Sequence, residues 1–222
     1  MSLYTWPPQT AHGRVIPKSR IYEGAGATKA LQAKFVDQVE RMEWTHVLRH
    51  DRLNLKAADG VEELAVVAIT LHKPEVDAAV LAAIERAIPR PLVLELVHGG
   101  RARLAMAWKR PSLAASGQWV ISPHFIGPWE AASTPRAPLP PALDMAALYA
   151  ALLDPLLPPK LSVGETLADR VARAEEAARL GREITRLESA VAREKQFNRK
   201  VELNAALKDV RKKQARLLSA AS

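Results

Sequence analysis

The chain has no cysteine among its 222 residues, which excludes disulfides, thiolate zinc sites and a cysteine nucleophile and fits a reducing compartment. Long apolar runs are missing as well. Those present are short and broken by charge, and the N-terminal MSLYTWPPQTAHGR has no continuous apolar core. The sequence therefore predicts neither a membrane span nor a secretory signal, and a cytoplasmic location. No GxSxG, P-loop or Rossmann glycine pattern occurs, so serine catalysis and nucleotide hydrolysis lack support. Phe and Tyr are scarce at three each, although there are five Trp. Acidic residues are the minority charge. The 32 Lys and Arg against 24 Asp and Glu give a net charge of +8 and a pI near 9.9, a balance that favours a polyanionic partner through counterion release.

The length suits one domain plus an extension. Residues 1 to 23 read as irregular, punctuated by Pro7, Pro8, Gly13 and Pro17, although Ile16, Ile21 and Tyr22 are apolar anchors that predict docking on the domain. Leu31, Phe35, Val39 and Met42 step by four, four and three, which predicts a helix of about four to five turns. A short strand from Trp44 to Leu48 follows, and then VEELAVVAITL at 61 to 71, apolar on both faces and so central in its sheet. Pro74 suits the first turn of a helix carrying Val76, Val80, Ile84 and Ala87, and PLVLEL supplies the next strand of a strand, helix, strand unit. A three-residue turn at His98, Gly99 and Gly100 aligns Leu92, Leu94 and Leu96 with Met106, Leu104 and Ala102 and puts Glu95 opposite Arg103. After the loop at Ser112 to Gly117 comes a strand from Gln118. A proline-rich connection then leads to an apolar helix around residues 147 to 157.

The expected fold class is thus α/β (α+β), a mixed β-sheet with packed helices over residues 1–159. A helical, coiled-coil-like extension over 160–222 completes it. From Glu165 to Ser222 there are 14 Lys or Arg against 9 Asp or Glu, no proline and one glycine. Leu180, Ile184, Leu187 and Val191 step by four, three and four, and Leu203, Leu207, Val210, Gln214 and Leu217 by four, three, four and three. The two registers do not join in phase across Glu194 to Glu202, so a skip or a turn lies there. The lack of glycine or proline between residues 182 and 222 favours one continuous helix that pairs with another chain, with Phe197 and Asn198 setting the register. A hairpin packing the first stripe on the second is the alternative.

Several motifs stand out together: IPK at 16 to 18, Tyr22 and Glu23, Trp44, Leu53 with Asn54 and Leu55, AIP at 87 to 89, AWKR at 107 to 110, and EKQFNRKVELN at 194 to 204. With them the chain resembles domain-of-unknown-function family 4391 over nearly its whole length. Phe197, Asn198, Arg199, Lys200 and Asn204 are the most specific part, a combination that helix propensity alone does not select. The resemblance implies a bacterial or archaeal accessory protein of restriction and phage-defence loci, with helicase or methyltransferase subunits as partners. One departure concerns charge. The family pattern places a basic residue before the leucine that follows the tryptophan, whereas Val47 precedes Leu48 here, so that charge is lost or has moved to Arg49.

The reading that follows is a non-catalytic accessory or assembly protein of a DNA-processing complex. Its predicted assembly surface is Leu180, Ile184, Leu187, Val191, Phe197, Asn198, Leu203 and Leu207. Its predicted DNA contact is Lys208, Arg211, Lys212, Lys213 and Arg216, which share one helix. Self-association through that helix is a further expectation; no cofactor or metal is expected. One alternative is a metal-dependent nuclease, whose carboxylates and lysine would come from Glu62, Glu63, Glu95 and Lys73, although their spacing does not match a compact Asp, Glu-x-Lys signature. Another is a free-standing nucleic-acid-binding protein. His46 and His50 are four apart with Asp51 next, a ligand spacing on a helix but not on a strand. His98 and His124 read as exposed turn histidines. Trp44, Trp108 and Trp119 read as core, with Trp6 and Trp129 as the two expected at the surface.

Overall fold

The computed structural model describes residues 3–112, 118–162 and 164–219, and the chain divides into two compact units, Met1–Leu156 and Leu157–Ser222. The first unit runs β1 (Ala11–Val15), α1 (Lys18–Ala25), α2 (Lys29–Gln38), β2 (Val39–Arg49), α3 (His50–Leu53), β3 (Glu63–Leu71), α4 (Ala78–Ala87), β4 (Leu92–His98) and β5 (Arg101–Met106). Short strands β6 (Lys109–Pro111), β7 (Trp119–Ile121), β8 (Phe125–Ile126) and β9 (Glu130–Ala131) follow, and α5 (Met145–Leu153) closes the unit. The main sheet is ordered β1-β2-β3-β4-β5-β8, with β9 also on β5, while β6 and β7 pair separately. Only β3 and β4 are parallel among these pairs, and α4 is the crossover between them, as the strand, helix, strand pattern requires.

Two local readings are corrected. The spacing of Leu31, Phe35, Val39 and Met42 suits a helix, but α2 stops at Gln38 and both Val39 and Met42 belong to β2, paired with Leu71 and Ile69. Long-range pairing wins because an 11-residue strand ladder outweighs a last helical turn, and β-branched Val39 fits a pleated surface. In the same way, the helix after β3 begins not at Pro74 but at Ala78, where the Asp77 carboxylate caps the Ala79 amide at 2.8 Å. The N-terminal segment does dock, with Ile21 buried and Tyr22 edge-on to Phe35, but as helix α1 rather than as irregular chain.

The β4–β5 turn also departs from expectation. It has two residues, Gly99 and Gly100, with φ of 54° and 72°, the paired left-handed conformation of a type I′ turn that glycine adopts without strain. The register places His98 opposite Arg101, Leu96 opposite Arg103 and Glu95 opposite Leu104. Arg103 can face Leu96 because its guanidinium reaches away, donating to the Pro74 carbonyl at 3.0 Å and stacking over Trp129 at 4.3 Å. From residue 113, the loop expected before Gln118 lies outside the described residues.

Helices α1, α2 and α4 cover one sheet face, where Phe35, Val67, Ile69, Ile84, Leu92 and Leu94 share a core. At the end of α4 lies an unusual feature. Lys109 is 2% exposed and its ammonium donates to the Glu85 and Ile88 carbonyls, each at 2.5 Å, and to the Glu85 carboxylate at 3.4 Å. A cation here caps the carbonyls that a helix C-terminus leaves unpaired. Tyr149 of α5 locks the same corner: its hydroxyl accepts from the Lys109 amide at 2.9 Å and donates to the Ala107 carbonyl. Burial draws the Lys109 ammonium below the usual lysine range, against the pull of Glu85. His124, expected at the surface, has a buried side chain 3.5 Å from Glu85.

In the second unit, α6 (Leu167–Arg193) and α7 (Phe197–Leu218) form an antiparallel hairpin. Arg211 meets Glu188 at 2.6 Å, Gln214 reaches the Ala177 carbonyl at 2.9 Å and Arg173 reaches that of Leu217 at 2.6 Å. The continuous helix is thereby corrected. Extended backbone at Glu194 and Gln196 breaks it, and the Glu194 carboxylate accepts from the Lys195 and Gln196 amides at 2.8 and 2.9 Å. Side-chain closure thus replaces the glycine or proline that the turn lacks. Folding back is also what the out-of-phase stripes need, since it lets Leu180, Leu187 and Leu207 be buried within one chain. Gly181 admits the close approach: a Cβ there would sit 3.0 Å from the Gln214 amide nitrogen. Thr166 and Asp169 form a capping box at the start of α6.

Candidate functional site

The residues of the nuclease alternative are not assembled into one cluster. Glu63 begins β3 and pairs with Arg90, while Glu95 aligns with Ala68 of β3 in parallel register. Alternation along β3 puts positions 63 and 68 on opposite sheet faces. Glu62 is exposed, and Lys73 beyond β3 pairs with Asp37. Among the described residues no group of three or more His, Asp or Glu has metal-holding geometry; His46 lies in β2 and His50 begins α3.

Glu95 instead anchors a buried network. One of its carboxylate oxygens accepts from the Trp6 indole and from Arg136, both at 2.7 Å, and the Trp6 ring lies 6.2 Å from that of His46. Trp6, expected at the surface, is only 8% exposed for this reason. Burial depresses the His46 pKa, with Glu95 opposing and Arg136 assisting. The folded state therefore binds fewer protons than the unfolded chain as pH falls below 6.5, so this histidine lowers stability progressively in that window. Replacing His46 with Gln is expected to flatten the acid limb of the stability profile, read by urea unfolding between neutral pH and the onset of acid denaturation. An unchanged slope would contradict the assignment.

The most distinctive concavity is a groove of about 320 Å³ at the β1–β2 edge of the sheet. Its walls carry five cationic or titratable nitrogenous side chains, His12 and Arg14 from β1, Arg49 from β2, Arg52 from α3 and Arg90 just before β4. Trp44, Val47 and Glu63 complete it. Strand pairing makes the cluster: Arg14 aligns with Trp44 across β1 and β2, and Arg49 with Glu63 across β2 and β3. Arg90 lies over the Trp44 ring at 4.9 Å, and His12 tilts against the same ring at 5.3 Å. The indole is therefore a platform that aims two nitrogenous side chains rather than an open stacking surface. Arg90 is tied to Glu63, Arg49 lies 3.1 Å from Asp51, and Arg52 donates to the Gln9 carbonyl at 3.0 Å. Four lining arginines against one lining carboxylate leave an excess of positive charge suited to phosphate.

A family model described as Domain of unknown function (DUF4391) matches residues 5–213. The chain belongs to this family. No curated protein and no solved structure matches it. In this member, two of the motifs that carry the resemblance meet at one point, where Lys109 of AWKR bonds the Ile88 carbonyl of AIP. Asn54 has φ of 55°, the left-handed cap that ends α3. Phe197, Asn198, Arg199, Lys200 and Asn204 are all exposed, Phe197 by 78%, and their contacts stay local to α7, where Arg199 pairs with Glu202 and Asn204 donates to the Lys200 carbonyl.

The basic run on α7 does not form one face. At about 100° per residue, Lys208, Arg211, Lys212, Lys213 and Arg216 spread over an arc of about 200°, and Arg211 is engaged by Glu188. Of the predicted assembly leucines, Leu180, Leu187 and Leu207 are buried, with Ile184, Val191 and Leu203 half-buried. The groove itself was not legible as a site in the sequence. Its one local signal was the alternation of His12 and Arg14, basic side chains two apart as on a strand, in a segment whose prolines read as irregular.

Proposed function

We propose that this protein is a non-catalytic module that binds nucleic-acid phosphate and serves as an accessory of a DNA-processing assembly. The observation that carries this reading is the β1–β2 groove, in which Arg14, Arg49, Arg52 and Arg90 converge from four parts of the chain. Guanidiniums present forked donors that suit phosphate oxygens, and a partly enclosed site weakens their competition with water. Because Trp44 is occupied by Arg90 and His12, contacts fall on the backbone rather than on bases, and binding is tolerant of sequence. The separation of Glu63 from Glu95 by the sheet favours binding over catalysis. The helicase or methyltransferase subunits implied by the family resemblance would then perform the chemistry.

The test is fluorescence anisotropy of a labelled duplex with the full chain over a salt series. Each phosphate contact steepens the slope of log affinity against log salt by about 0.9. Replacing Arg14, Arg49 and Arg52 by Gln together is expected to reduce that slope by about 2.7 and to weaken binding by well over tenfold, roughly 1.4 kcal/mol or more. Arg90 is left intact because its pair with Glu63 supports the fold. Wild-type affinity and slope in the triple variant would refute the groove reading.

A further inference from the structure

The outer face of α6 carries a second set of cations that the groove does not explain. Arg182, Arg186 and Arg193 line a shallow depression of about 510 Å³ together with Thr185, Ser189 and Ala190. At 3.6 residues per turn these three arginines fall within an arc of about 40°, roughly opposite the seam of Leu180, Ile184, Leu187 and Val191. All three are exposed, and none makes an ion pair among the described residues. The nearby carboxylates are committed elsewhere: Glu183 lies 3.7 Å from Arg179, and Glu188 pairs with Arg211. The nearest carboxylate on the same arc is Glu175, about 10 Å along the axis before Arg182. The hydroxyls of Thr185 and Ser189 donate to the Gly181 and Thr185 carbonyls, so the depression offers guanidinium donors and little else.

We propose that this arginine ladder is a second nucleic-acid site, one that tracks the phosphate backbone of a duplex along α6. The charge supports a polyanion: at 1.5 Å per residue the three arginines span about 16.5 Å of α6, a single-sign stretch long enough to meet more than one phosphate where the helix crosses a nucleic-acid backbone. A solvated coiled-coil face would carry alternating signs for i to i+4 pairing. This arc carries a single sign from Arg182 to Arg193. The site is independent of the groove, because it lies in the other unit and on a single helix.

The experiment uses the full-length chain and a labelled duplex in a salt series, with three proteins beside the wild type: Arg182→Gln/Arg186→Gln/Arg193→Gln, the same positions changed to Lys, and the groove triple variant. The Gln ladder variant is expected to lose about 2.7 from the salt slope, with far-UV circular dichroism unchanged because the residues are exposed. The Lys variant should retain the slope. Groove and ladder variants should each lose their own share, so failure of one reading leaves the other standing. A Gln ladder variant that binds as the wild type does, or a ladder share that polyglutamate displaces as readily as unlabelled duplex, would overturn the proposal. The second result would make the partner an acidic protein.

Discussion

Lys109→Met is expected to cost the first unit about 3 to 5 kcal/mol, the usual penalty for removing one partner of a buried ion pair. Against a total stability of about 5 to 15 kcal/mol, that is enough to depopulate the folded domain. The reason is specific. Glu85 is 0% exposed, and without Lys109 its carboxylate loses its hydrogen-bonded cation among the described residues while the Glu85 and Ile88 carbonyls lose their donor. His124 stands 3.5 Å away without hydrogen-bond geometry and does not replace the ammonium. All five tryptophans lie in the first unit, so tryptophan fluorescence during urea unfolding reads this effect without interference from α6 and α7. A double variant with Glu85→Leu added is expected to recover part of the loss, since an apolar pair of similar volume removes the unpaired charge. A single variant as stable as the wild type would show that the ammonium is not the cap.

Leu207→Ala is expected to destabilise the second unit by about 2 to 5 kcal/mol, the range for truncating a buried leucine. A two-helix hairpin has few such residues. In the antiparallel register fixed by Arg211 with Glu188 and Gln214 with Ala177, Leu207 falls near Ile184 and Leu187. It is the one buried side chain of α7, at 7% exposure. The loss should appear as reduced far-UV helical signal and faster cleavage within α7, with tryptophan fluorescence unchanged. Helicity and protease resistance equal to the wild type would mean that the stripe is covered by another chain rather than by α6. The two predictions also test each other, because each should leave the other unit's signal intact.

Much of the layered fold follows from local pattern. The apolar run at 64 to 71 demanded a strand covered on both faces, and the stripe at Val80 and Ile84 demanded a helix packed on it; β3 and α4 satisfy both. Leu180 to Val191 and Leu203 to Leu217 are likewise helices with the seams their spacing implies. These signals are legible because burial imposes a period of two or 3.6 on the residues themselves. Where two local rules conflicted, the sequence was ambiguous. Val39 and Met42 continue the helical stripe of Leu31 and Phe35, and only the ladder to β3, with its register shift between Val39 and Arg41, put them in a strand. The absence of glycine and proline near 194 argued for a straight helix, but a carboxylate closing on two amides made the turn.

Sequence by itself therefore determined the α/β class, the family membership and the positions of the amphipathic faces, each written in short-range spacing. Tertiary structure alone decided what those elements bring together. Lys109 reaches the end of α4 from a strand more than twenty residues on, and the arginines of the groove come from β1, β2, α3 and the approach to β4. Such clusters leave no periodic trace, because the distances that create them run across strands and between layers, perpendicular to the chain that spells them out.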